Sequence, residues 1–231
     1  MIIYGKNTVL EAINSNKTIK SVYVTNNTIH LIKNKIPANL IKLISQKEMD
    51  LKFKGNNQGL GAIVDDYHYH DLEEIFKLDK KNISLAILDG LSDPHNLGAI
   101  LRTADATGID GIIIPKNRSV SLNDTVAKVS TGAIEYVPTF QVTNINQTIK
   151  LLKEHGFWVV GLDMDGDMNY TDYDYEGKNA IVVGNEGKGI SRLTRESCDT
   201  IISIPMIGHV ESLNASVSCS LIFYEILRKR G

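Results

Sequence analysis

Towards its C-terminal end the chain runs Ile204-Pro205-Met206-Ile207-Gly208-His209-Val210-Glu211-Ser212-Leu213-Asn214-Ala215-Ser216-Val217. This polar cluster sits inside an apolar strand-to-helix passage, and core packing does not ask for it. Ser212, Asn214 and Ser216 fall at the start of a predicted amphipathic helix, where side-chain oxygens and unpaired backbone N–H groups can face a ligand. Two other turns carry unusual residues. In Asp89-Gly90-Leu91-Ser92-Asp93-Pro94-His95-Asn96-Leu97-Gly98-Ala99-Ile100-Leu101-Arg102-Thr103-Ala104 a turn becomes a helix, with Asn96 placed to cap it and Arg102 six residues further on. The ordinary structural use of that arginine is a salt bridge. In Val182-Val183-Gly184-Asn185-Glu186-Gly187-Lys188-Gly189-Ile190, three glycines within six residues permit positive φ and close backbone approach to a bound group. Glu186 on this loop has a bland use as well, complementing a helix dipole.

These turns need a scaffold. Helical spacing covers residues 6–15, a strand follows at 21–25, an apolar periodic stretch at 29–44, and a closing strand at 60–64. The charged segment 67–82 reads as a linker. Beyond it strands and helices alternate: strands at 84–88, 111–115, 135–142, 157–162, 180–183 and 200–204, with helices at 97–107, 123–129, 146–155, from 190 and at the end. Short apolar strands separated by helices predict an α/β fold with a largely parallel sheet covered on both faces. In such sheets ligands bind beyond the carboxyl ends of the strands, which places the chemistry in the turns after Leu88, Val183 and Ile204.

Composition narrows the class. A chain of 231 residues with 42% apolar residues can bury a substantial core. No run approaches the roughly 18 apolar residues of a membrane span, so no membrane partner is expected. The start of the chain lacks the pattern of a secretory signal, and two cysteines, Cys198 and Cys219, fit a reducing cytoplasm better than a disulfide framework. No metal is expected: Tyr67-His68-Tyr69-His70 lacks partners at ligand spacing, and Asp163-Met164-Asp165-Gly166-Asp167 lacks the later positions of a calcium loop and reads as a solvated acidic turn. The glycine loop has neither phosphate-loop nor dinucleotide spacing, which argues against a nucleotide-dependent oxidoreductase or hydrolase. Residues 1–60 hold nine lysines against three acids, whereas the remainder holds 16 basic and 24 acidic residues. This split points to a polyanion met by the N-terminal part, or to a Lys-rich solvated surface.

Taken together, the motifs resemble the SpoU (TrmH-like) family of RNA ribose 2′-O-methyltransferases. The resemblance rests on Asn96-Leu97-Gly98-Ala99-Ile100 with Arg102-Thr103-Ala104, on Gly184-Asn185-Glu186-Gly187, on Ile204-Pro205-Met206 with Ser212-Leu213-Asn214-Ala215-Ser216-Val217, and on Lys128-Val129-Ser130-Thr131-Gly132-Ala133-Ile134-Glu135. It covers residues 84–231. The opening Tyr4-Gly5-Lys6-Asn7-Thr8-Val9-Leu10-Glu11-Ala12 and Gln58-Gly59 resemble the substrate domain of members that methylate a guanosine of large-subunit (23S) ribosomal RNA. The resemblance implies a trefoil-knotted parallel-sheet methyltransferase domain at 83–231, a small α/β RNA-recognition domain at 1–66 and a linker at 67–82. It also implies a homodimer, a ribosomal RNA partner, and S-adenosyl-L-methionine held by backbone at Gly184, Ile204 and Leu213. Arg102 corresponds to the residue seen as base or phosphate anchor; since a guanidinium stays protonated, phosphate anchoring and alkoxide stabilisation fit it better. Asn96, Glu186, Ser212 and Asn214 complete the implied site. Transfer RNA as substrate, and a non-catalytic ribosome-assembly factor, are the alternatives.

If the lysine-rich part meets RNA, Lys52→Glu combined with Lys54→Glu weakens RNA binding and lowers the slope of log affinity against log salt by about 2. Filter binding between low and high salt measures this; an unchanged slope would place the RNA-binding face elsewhere.

Overall fold

The computed structural model describes every residue except Asn16, Glu186, Lys188, Glu211 and Gly231. It forms two compact units, Met1–His68 with Leu122–Tyr136, and Tyr69–Ser121 with Val137–Gly231.

The first unit is built on β1 (Ile2–Tyr4), α1 (Lys6–Asn14), β2 (Ile19–Val24), β3 (Ile41–Leu43), α2 (Gln46–Lys52) and β4 (Leu60–Val64). Its sheet has the order β1-β4-β2-β3, antiparallel except where β2 meets β3. Helix α1 buries Thr8, Val9, Ala12 and Ile13, the face that the 3.6-residue spacing marks. The periodic stretch 29–44 is not one helix. It contains two single 3-10 turns, Ile29–Leu31 and Ala38–Leu40, before β3. Pro37 lacks the N–H that a helix interior needs, and the β-branched isoleucines lose side-chain freedom in a helix. Helix α2 starts with a reciprocal Ser45–Glu48 capping box and places Met49 and Phe53 against Tyr23. Helix α5 (Asp124–Val129) also belongs to this unit, capped by the Asn123 side chain. After it Gly132 (φ +104°) lies so close to Glu11 that an added Cβ would stand 2.4 Å from Cγ. Lys17 pairs with Glu135 at 3.4 Å and the Tyr136 hydroxyl donates to Glu11 at 2.6 Å.

The second unit contains α3 (Glu73–Phe76), β5 (Ile83–Asp89), α4 (Pro94–Thr107), β6 (Gly111–Pro115), β7 (Thr139–Val142), α6 (Ile145–Glu154), β8 (Trp158–Leu162), β9 (Met168–Asn169), β10 (Lys178–Gly184), α7 (Arg192–Ser197), β11 (Thr200–Ser203) and α8 (Ala215–Arg230). Segment 67–82 carries α3, whose Ile75 is buried in this unit's core. The sheet has seven parallel strands in the order β7-β6-β5-β10-β8-β11-β9. This is the expected α/β fold with a parallel sheet. Ile83, Leu85 and Ile87 of β5 face Ile145, Ile149 and Leu152 in one core cluster. Helices α4 and α8 pack together, joined by a 3.1 Å hydrogen bond between the Thr103 and Ser220 hydroxyls. Cys219 is fully buried, as expected of a core position. The strand expected over 135–142 begins only at Thr139, because Pro138 cannot donate to a ladder and the preceding residues form a 3-10 turn. No helix among the described residues is long and apolar enough to cross a membrane.

Strand order reverses between β5 and β10, whose last residues pair as Asp89 with Gly184. Beyond them β8 and β11 end side by side, with Leu162 paired to Ile202. A cavity opens among the loops after β8, β10 and β11, beside this switch point rather than across it.

Candidate active site

The loops after β8, β10 and β11 enclose a cavity of about 350 Å³, within the range of roughly 300–1,000 Å³ usual for small-molecule sites. Gly184, Ile204, Ser212 and Leu213 line it together, as do Leu162, Val183, Ala215 and Ser218. The expected backbone contacts at Gly184, Ile204 and Leu213 thus fall in one pocket. Its charged lining residues among those described are Asp163 and Asp165. The acidic turn that reads as merely solvated in the sequence is therefore one wall of the cavity.

Gly184 is glycine for a steric reason internal to the chain. A Cβ there would stand 2.1 Å from the Gly189 carbonyl carbon and 2.3 Å from the Ile190 nitrogen. The loop returns directly over the end of β10, closed by reciprocal backbone hydrogen bonds between Asn185 and Gly189 of 3.1 and 2.8 Å. The Asn185 side chain stitches this loop to its neighbours, donating to the Gly90 carbonyl at 3.0 Å and accepting from the Gly187 N–H at 3.0 Å.

Asn96 does not cap α4. Asp93 does, accepting from the His95 N–H at 2.8 Å with Pro94 in the first helical turn, so Asn96 stands inside the helix. Asn96 is buried and accepts from the Asn214 side-chain amide at 3.0 Å across 118 residues of sequence. The Asn214 oxygen in turn accepts from the N–H and hydroxyl of Ser216 at 2.9 and 2.6 Å, capping α8. This pair locks the start of the last helix to the first turn of α4. Arg102 is exposed on α4, does not line the cavity, and makes no hydrogen bond or ion pair among the described residues. The structural salt bridge expected of such an arginine is thus not seen there. Glu186 lies outside the described residues. Cys198 is no candidate nucleophile, since burial pushes its thiol up to about 11 and its Sγ donates to the Thr194 carbonyl.

The comparisons with known proteins agree with this layout. The profile of the SpoU rRNA Methylase family matches residues 84–224. The chain belongs to that family. A second profile, described as RNA 2′-O ribose methyltransferase substrate binding, matches residues 2–70 of this SpoU-family chain. A Staphylococcus haemolyticus protein named as a TrmH family tRNA/rRNA methyltransferase is 46% identical over 239 residues, spanning 100% of this chain and 96% of its own length. Among solved structures, the SpoU methyltransferase AviRb from Streptomyces viridochromogenes in complex with AdoMet superposes with a TM-score of 0.83, covering 100% of this chain and 90% of AviRb. At 23% identity that likeness is one of fold. The A. aeolicus TrmH/SpoU tRNA modifying enzyme is 31% identical, with a TM-score of 0.59 over 69% of this chain and 80% of its own.

Sequence reasoning on this SpoU-family chain missed the wall formed by residues 162–165 and the contributions of Met206, Ala215 and Ser218. The available signal was the position of the acidic turn directly after an apolar strand, the same rule that singled out the other turns.

Gly184→Ala is expected to lower the melting temperature by about 5–10 °C, because backbone rather than a flexible side chain obstructs the new methyl group. Gly187→Ala is the control, since its Cβ would meet nothing nearer than 3.7 Å. Thermal unfolding followed by circular dichroism separates the two; equal melting temperatures would remove the crossing as a constraint.

Proposed function

We propose that this chain uses S-adenosyl-L-methionine to methylate the ribose 2′-oxygen of a guanosine in large-subunit (23S) ribosomal RNA. The observation that carries the reading is the cavity: apolar walls from Leu162, Val183, Ile204 and Leu213 joined to carboxylates at Asp163 and Asp165. Such a lining suits a ligand with an adenosyl portion and cationic sulfur and amine groups. It suits a phosphate-bearing nucleotide poorly, since among the described residues no basic side chain lines it. Gly184, Ile204 and Leu213 would hold the cofactor, largely through main-chain groups at the cavity wall. When bound, it supplies a methyl carbon on a positively charged sulfur.

The rest of the chemistry falls to the protein. Positioning of the ribose oxygen supplies much of the rate in such a transfer. Ser212, exposed beside Leu213, offers a hydroxyl at the cavity, and the Asn96–Asn214 pair fixes the loop that carries it. Glu186 belongs to the same proposed set as an orienting group. The guanidinium of Arg102 keeps its protons, so its role is to anchor the neighbouring phosphate and stabilise charge developing on the 2′-oxygen.

Arg102 does not line the cavity of its own chain, while α8 exposes Val217, Leu221 and Tyr224 along one face. An apolar stripe on a helix start that also frames a site supports a homodimer in which each protomer's Arg102 serves the other's cavity. The threaded C-terminal passage that the family resemblance implies belongs to the same proposal, with α8 held against α4 after the cavity loop. The surplus of lysines within residues 1–60, together with the substrate-binding profile over 2–70, supports a large folded RNA as the partner. The two free cysteines fit a cytoplasmic setting. Transfer RNA is the second reading, favoured by the 31% identity to the A. aeolicus tRNA modifying enzyme.

Transfer of labelled methyl from S-adenosylmethionine to unmodified ribosomal and transfer RNA, followed by mapping of the labelled nucleotide, decides between the substrates. Label at a large-subunit guanosine ribose is expected; label confined to transfer RNA would overturn the substrate. Arg102→Ala is expected to lower turnover about 1,000-fold with the cofactor dissociation constant unchanged, as read by calorimetry. A variant with normal turnover would remove the assigned role.

A further inference from the structure

The turn after β8 is held in place by one arginine. Arg195 on α7 places Nη1 2.8 Å from Asp163 Oδ2, and its Nη2 donates to the Asp165 carbonyl at 3.3 Å. Both side chains are largely buried, 34% and 18% exposed respectively. The same Asp163 oxygen lies near Gly189, where an added Cβ would stand 3.8 Å away, and the Asp163 N–H donates to the Ile202 carbonyl at 3.0 Å. Helix α7 is itself fastened to the sheet, since the Ser191 N–H donates to Asp89 Oδ2 at 3.3 Å and the Ser191 hydroxyl caps the helix. Asp163 is therefore tied through its carboxylate to α7 and through its backbone to β11, and it is the more buried of the cavity's two described acids.

A methyl donor of this kind and its spent product differ at the reaction centre by a methyl group and by the charge on sulfur, which is positive before transfer and neutral after it. A carboxylate fixed in the wall can tell the two apart by charge. Resting on the cofactor assigned above, we propose that Asp163 is a specificity-determining residue that makes the cavity favour the cationic methyl donor over its neutral-sulfur product, with Arg195 as the positioning residue that fixes the carboxylate. The arginine also tempers the field. It compensates part of the Asp163 charge, so the preference is moderate and the product can leave.

The two residues then have opposite effects on one ratio. Asp163→Asn, which keeps shape and removes charge, is expected to weaken S-adenosylmethionine about tenfold and S-adenosylhomocysteine about twofold. Sinefungin, with an ammonium in place of the methylsulfonium, follows the cationic ligand. Arg195→Gln frees the carboxylate from its compensating charge; it weakens both ligands but raises the preference for the cationic one about threefold. Calorimetric titration of the full-length wild-type protein and each variant with all three ligands reads these ratios, and circular dichroism confirms the fold. A purely structural clamp would weaken all three ligands alike in both variants. That result, or unchanged ratios in either variant, overturns the inference while leaving the cofactor assignment intact. A wild-type protein that binds none of the three overturns the cofactor assignment, and the inference with it.

Discussion

At the end of β10 the chain passes over its own backbone so closely that no side chain fits between. The carbonyl carbon of Gly189 and the nitrogen of Ile190 occupy the space that a Cβ on residue 184 would need. Because the loop must turn back at once, its backbone is held by the Asn185–Gly189 hydrogen bonds, and the Asn185 side chain is free to reach Gly90. The loops after β5, β8 and β11 are then arranged around a fixed ledge. A looser turn would move the lining of the cavity and separate the residues that the topology has brought from distant parts of the chain.

The cavity's charge follows from where the strands end. Loops after β10 and β11 supply glycine, apolar and hydroxyl groups, while the loop after β8 supplies acids. The lining described carries two carboxylates and no basic side chain, so its fixed charge is negative. The larger sheet thus contributes geometry through its order and the negative charge of the lining through one loop. Polar contacts such as Asn96 with Asn214 spend no charge at all and serve to hold these loops in register.

Much of this was legible in the residues themselves. The alternation of apolar strands and helices beyond residue 83 predicts the parallel sheet, and the rule that ligands lie beyond carboxyl strand ends singles out the turns after Leu88, Val183 and Ile204, of which the last two line the cavity and the first does not. Asn96 was recognisable as a polar residue with a purpose, but the nearer cap, Asp93 before Pro94, had the better claim to the helix end. The acidic turn at 163–167 reads as solvated because charge in a loop ordinarily signals solvent; the pairing of β8 beside β10 and β11 brings its residues 163–165 to the cavity. The periodicity of stretch 29–44 does not by itself decide its structure. Its isoleucines repeat at helical intervals, yet Pro37 and the β-branched side chains favour short turns and a strand.

Residues 122–136 leave the polypeptide of the larger unit in mid-course and complete the smaller one, contributing α5, Gly132 against Glu11, and Glu135, which pairs with Lys17. The chain accordingly crosses between the units three times, near residues 68, 121 and 136. No single cut frees either unit whole. A fragment ending at residue 68 would lack its outer helix, and one beginning at 69 would carry that helix with no sheet to rest on. The smaller unit is thus joined to the larger by three chain crossings, and exchange of such a module between proteins would require two segments to move together.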